Sequence, residues 1–66
     1  MRETVQNTIN GAREKAKLTQ EDLAKRAGVT RQTIIAMEGG NYTPSVLLAL
    51  RLSKIFKTPV EKLFWI

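Results

Sequence analysis

The 66-residue chain predicts an all-α fold, with five short helices in a single domain over residues 1–66. Three observations carry that expectation. Hydroxyl N-caps and glycine stops punctuate the chain at regular intervals. Apolar residues between them recur at helical spacing. No segment alternates apolar and polar residues for long enough to claim a strand. A hydrophobic fraction of 42% is close to the globular average, so the chain can bury a core, though a small one. A core of that size gives marginal stability, which tight helix packing or a partner subunit has to supplement.

The expected helices cover residues 8–15, 20–27, 31–38, 45–56 and 60–64. In the first, Val5, Ile9, Ala12 and Ala16 lie at offsets of 4, 7 and 11 and share one face. Gly11 weakens this helix, and Asn7 is a candidate cap for it. Thr19-Gln20-Glu21-Asp22 sets a hydroxyl three residues ahead of a carboxylate, close to a capping box. Leu23, Ala24 and Ala27 then fall on one face, and Gly28 supplies a left-handed stop. Thr30 is the next N-cap, ahead of Ile34 and Met37, with Gly39-Gly40 as the stop. Pro44-Ser45 restarts the chain into a helix-period apolar stretch from Val46 to Phe56. Thr58-Pro59-Val60-Glu61 reads as a full capping box with Pro at the first helical position. The last helix then ends in Leu63-Phe64. Residues 3–6 and 63–66 are a further candidate, for pairing as a short edge.

Composition excludes more than it selects. With no Cys and no His, the chain has no disulfide, no thiolate zinc site and neither of the usual nucleophilic dyads. No metal site or cofactor is expected, and no catalytic constellation. No apolar run reaches the ~18 residues of a membrane span, and no signal-peptide h-region is present, so a cytoplasmic location is expected. Eleven Lys+Arg against six Asp+Glu leave a net charge of +5, which favours a polyanionic partner.

The segments 20–27 and 31–38 form the informative unit. Two short helices joined by a glycine-containing turn make a helix-turn-helix if they can cross closely. Ala24 is small where they would cross, Gly28 permits the turn, and Val29, Ile34 and Met37 are apolar where the second helix must bury. Counted from Gln20, these occupy positions 5, 9, 10, 15 and 18.

Three stretches carry a resemblance: Lys17-Leu18-Thr19-Gln20-Glu21-Asp22-Leu23-Ala24, Gly28-Val29-Thr30-Arg31-Gln32-Thr33-Ile34, and Tyr42-Thr43-Pro44-Ser45. Over residues 8–64 the chain resembles the Cro/repressor-type, or XRE-like, helix-turn-helix family of transcription regulators. The ending Pro59-Val60-Glu61-Lys62-Leu63-Phe64 is similar to that of many small members. The resemblance implies a five-helix, lambda-repressor-like fold, and a homodimer on a roughly palindromic operator in double-stranded DNA. It also implies a repressor or activator without a small-molecule ligand, since no second domain is evident to sense one. A protein-interaction module of the same fold, such as the antitoxin of a toxin pair, is the alternative.

In such a module the third helix enters the major groove and its outward side chains meet base edges. Subtracting Ile34 and Met37 leaves Arg31, Gln32, Thr33, Ile35 and Ala36 as the surface. Gln can bridge adenine N6 and N7, and Arg can bridge guanine O6 and N7. Gln32 and Ala36 are expected at bases, Arg31 at a base or a phosphate, and Thr33 beside them. Gln20, Asn41 and Thr43 are expected phosphate donors, and Tyr42 is either a donor or a packing residue. The resemblance implies that Gln20 also braces the recognition helix. It implies, further, that Arg13 and Glu38 form an internal ion pair, although Arg13 could instead contact DNA. Leu47, Arg51 and Lys54 share a stripe expected to face water. Leu47, Trp65 and Ile66 either contribute to a dimer interface or, for the last two, cap the monomer core.

Overall fold

Three hydroxyl side chains open three of the helices in the computed structural model, which describes residues 3–66. Thr19 precedes α2 (Gln20–Ala27), Thr30 precedes α3 (Arg31–Glu38) and Ser45 precedes α4 (Val46–Phe56). Each accepts a hydrogen bond from the third backbone N–H of its helix, at 3.0 to 3.2 Å. These helices begin where local chemistry satisfies donors that have no intrahelical partner. At Thr19 the capping is reciprocal, because the Asp22 carboxylate accepts from the Thr19 N–H at 3.0 Å.

The other two helices start differently. Helix α1 (Ile9–Lys15) follows Thr8, whose hydroxyl does not cap it; Asn7 Oδ1 instead accepts from the Ile9 N–H at 3.0 Å. The capping box expected at Thr58 does not form. Pro59 itself takes the cap position of α5 (Val60–Leu63), without a side-chain cap. The Thr58 hydroxyl turns back to donate to the Phe56 carbonyl at 2.9 Å. A free carbonyl at the end of α4 is closer at hand than the amides of a one-turn helix.

Stops use the left-handed region. Gly28 ends α2 at φ 75°, and Gly40 lies at φ 79° just beyond α3. Two lysines adopt the same conformation, Lys17 at φ 59° in the turn after α1 and Lys57 at φ 52° after α4. A side-chain-bearing residue there costs about 1–2 kcal/mol relative to the right-handed region.

Two two-residue strands, β1 (Gln6–Asn7) and β2 (Phe64–Trp65), pair antiparallel with Gln6 opposite Trp65 and Asn7 opposite Phe64. The short edge is therefore formed, by residues 6–7 and 64–65 rather than 3–6 and 63–66, and it ties the two terminal regions of the described chain together. The remaining regular structure among the described residues is helical, as expected for an all-α fold.

The core joins Ile9, Leu23, Ala24, Ala27, Ile34, Met37, Leu48, Ala49, Leu52, Leu63 and Phe64, so every helix and β2 contributes to it. Ala24 and Ala27 are buried where α2 meets its neighbours, since small side chains let the backbones approach. Val5, Ala12 and Val29 are half-buried against this cluster. Ala16, expected on the buried face of α1, is exposed instead, because α1 ends one residue earlier and the chain turns away.

Candidate nucleic-acid interface

Helices α2 and α3 are joined by Gly28, Val29 and Thr30. The Gly28 N–H donates to the Lys25 carbonyl at 3.3 Å and the Val29 N–H to the Ala24 carbonyl at 3.0 Å, which closes the end of α2. Ile34 and Met37 are fully buried and set the inward side of α3. Its outward side follows from helical periodicity. Arg31, Gln32 and Ile35 are exposed, while Thr33 and Ala36 are half-buried at its margins. Eight residues make a rod of about 12 Å, comparable to the ~12 Å width of a major groove.

Among the described residues, neither Arg31 nor Gln32 hydrogen-bonds to another part of the chain, so their donors and acceptors face solvent. Thr33 differs, sharing a hydrogen bond with the Thr30 hydroxyl at 3.1 Å. Ala36 lies one turn beyond Gln32 on the same side.

The far end of α3 is bolted down. Arg13 Nε donates to Glu38 Oε2 at 2.7 Å, and Nη2 to Oε1 at 3.3 Å. Arg13 Nη1 also donates to the Leu18 carbonyl at 2.9 Å, so all three guanidinium nitrogens serve the fold. The side chains are 14% and 6% exposed, respectively. The hydrogen bonds that Arg13 donates to Glu38 push its pKa above its already high ordinary value, and burial only partly opposes this. The guanidinium is thereby a permanent cation aimed inward. Beside it, Asn7 Nδ2 donates to the Met37 carbonyl at 2.7 Å and ties β1 to the last turn of α3.

Gln20 Nε2 donates to Glu38 Oε1 at 3.2 Å, so Gln20 braces α3. A carboxamide has two N–H donors, and the second remains for a ligand. A cleft of about 480 Å³ opens here, lined by Arg13, Thr19, Gln20, Glu21 and Arg31. Glu21 and Asp22 add negative charge at this helix start. The Thr19 backbone N–H holds the Asp22 carboxyl below its ordinary value of 3.8, with the Thr19 hydroxyl adding to the effect.

Asn41, Tyr42 and Thr43 are exposed in the loop between α3 and α4. The stretch Glu3-Thr4-Val5 lies against this loop, and together they line a second cleft of about 320 Å³. Sequence reasoning missed this neighbour, because nothing local signals that the N-terminal stretch returns beside residues 40–43.

Helix α4 presents a different surface. Leu47 is 59% exposed, and Val46 and Leu50, which were not singled out, are 76% and 52% exposed. Trp65 and Ile66 are exposed as well, at 44% and 77%. Arg51 is exposed but not free, as its Nη1 donates to the Ala27 carbonyl at 3.2 Å. The helical period of α4 was the only signal for Val46 and Leu50, and an unbroken apolar run hid which of its residues turn outward.

Among the described residues no group of three or more His, Cys, Asp or Glu could hold a metal ion. No helix among them is long and apolar enough to cross a membrane.

A family model described as helix-turn-helix matches residues 9–63. The chain is 57% identical over 47 residues to a protein of Methanocaldococcus jannaschii, covering 71% of each chain. It is 42% identical over 62 residues to one of Bacillus subtilis, covering 94% of each. A protein of Archaeoglobus fulgidus is 45% identical over 56 residues, covering 85% of this chain and 79% of that one. All three are described as HTH-type transcriptional regulators.

Proposed function

The chain belongs to the helix-turn-helix family, as a DNA-binding transcription regulator rather than an enzyme, and we propose that it acts as a cytoplasmic repressor. In this reading it occupies a roughly palindromic operator as a homodimer, and bound dimer blocks RNA polymerase by overlapping the promoter. The observation that carries the reading is the division of α3 into a buried, ion-paired side and an outward side with unpartnered polar groups.

On DNA, Gln32 bridges an adenine edge, Ala36 lies against a thymine methyl and Arg31 reaches a guanine or a phosphate, with Thr33 at the edge of this surface. Gln20, Asn41, Tyr42 and Thr43 bind phosphates on either side of the groove. The position of Tyr42 in the exposed loop supports the donor role over simple packing, the residue being 39% exposed. Trp65, Ile66 and Leu47 join the two copies. A stable interface needs about 800 Å² from each partner. Three side chains are too few for that, so Val46 and Leu50 extend the surface.

Selection of bound sites from a random duplex pool tests the reading. The expected result is a two-fold-related pair of half-sites about one helical turn, ~34 Å, apart. Affinity for the selected site should also fall with salt at about −0.9 in log–log slope per phosphate neutralised. Recovery of unrelated sequences, or affinity indifferent to salt, would overturn it.

A further inference from the structure

Ala27 is the last residue of α2, and its carbonyl is one of the four that a helix end leaves without an intrahelical partner. The turn's own amides reach Ala24 and Lys25 instead. The donor for Ala27 comes from another element. Arg51, in the middle of α4, places Nη1 3.2 Å from that oxygen. The same nitrogen lies only 3.0 Å from where a Cβ on residue 28 would stand, with Cζ at 3.9 Å. The guanidinium therefore rests on the bare face of Gly28. Gly28 serves two needs at once, the left-handed φ of 75° and the close approach of Arg51. A cation at a helix C-terminus is also favoured by the helix dipole.

This contact falls on the hinge of the DNA-reading unit. The angle at which α3 leaves α2 depends on Gly28, Val29 and Thr30, and the guanidinium presses on the first of these. We infer that Arg51 is a positioning residue for DNA recognition. It locks the turn between α2 and α3 from outside the helix-turn-helix and so sets the aim of Arg31 and Gln32. Its effect reaches DNA through the turn, with no contact to DNA of its own. The inference rests on the DNA-binding reading above.

Two variants separate this role from simpler ones. Arg51→Met keeps the stem beside Leu47 and Leu50 but removes the donors, and Arg51→Lys restores a charge and a donor. Each is measured well below its melting midpoint, on the selected operator and on a random duplex. Arg51→Met should lower operator affinity by about 2- to 30-fold, the range for residues that act through a network. Random-duplex affinity and the salt slope should stay unchanged, and Arg51→Lys should recover part of the loss. In the DNA-free protein, amide exchange at Gly28 and Val29 should speed up in Arg51→Met relative to Leu52 in the core.

Equal loss on both duplexes, with the salt slope smaller by about 0.9, would mean a phosphate contact and overturn the inference. So would a lowered melting midpoint with both affinities unchanged, which is what a purely structural brace predicts. Failure of the wild-type chain to bind any duplex would remove the DNA-binding reading and this role with it. Normal wild-type binding with unchanged amide exchange in Arg51→Met would remove the clamp alone.

Discussion

Helices α3 and α4 are built alike on the inside and differ on the outside. Each starts with a hydroxyl cap and buries one face in the shared core, Ile34 and Met37 in one case and Leu48, Ala49 and Leu52 in the other. Outward, α3 offers the donors and acceptors of Arg31 and Gln32 beside a single apolar Ile35, whereas α4 offers the hydrocarbon of Val46, Leu47 and Leu50 ahead of Arg51 and Lys54. The inward residues are dictated by folding. The outward ones are not, and so they register what each helix meets. Polar forks on a basic chain suit a polyanion, and an apolar patch of this kind suits a protein surface.

The comparison breaks most severely if the anchor of α3 is removed. Arg13→Ala strands the Glu38 carboxylate in a mostly buried site, and losing one member of such a pair costs about 3–5 kcal/mol. Thermal unfolding should show a large drop in midpoint, with operator binding lost chiefly because less chain is folded. An unchanged midpoint would show that α3 holds its place without the pair.

Changes on the outward faces sharpen the contrast. Gln32→Ala should cost about 1–3 kcal/mol on the preferred site and relax selectivity at one base step per half-site. Light scattering should find its assembly unaltered. Leu50→Lys should do the reverse, weakening the proposed dimer while leaving monomer stability nearly unchanged, because Leu50 is half in solvent already. If Gln32→Ala weakened operator and random duplex equally, base readout at that position would be excluded.

The smallest expected effect concerns the start of α2. The Asp22 carboxyl titrates below its ordinary value, so its cap favours the folded state above 3.8, where the unfolded chain is also ionised. That contribution is lost as pH falls through the depressed folded-state value. Melting midpoints of wild type and Asp22→Asn should differ at neutral pH and converge in acid. The gap should be small, since the group is fully exposed. A gap that widened in acid would contradict the sign.

Much of the site was legible because its signals are local. Thr19, Thr30, Gly28 and Gly40 announce themselves within four residues, since caps and left-handed stops are satisfied by near neighbours. Periodicity then divided α3 into an inward and an outward side. The same logic failed at Thr58, where an equally good local pattern lost to a nearby carbonyl of α4. Arg13 and Glu38, 25 residues apart, were joined through the family resemblance, as no residue pattern connects them.

The order and polarity of side chains thus determined the helices, the caps at Thr19, Thr30 and Ser45 and the outward side of α3, all of which depend on interactions spanning about one turn. Only the tertiary structure decided that Arg51 meets the Ala27 carbonyl, Asn7 the Met37 carbonyl, and residues 3–5 the loop after α3. Those contacts are selected by how the packed helices happen to face one another. A charged or amide side chain will satisfy whichever backbone group the packing leaves within its reach, and its neighbours along the chain carry no record of that choice.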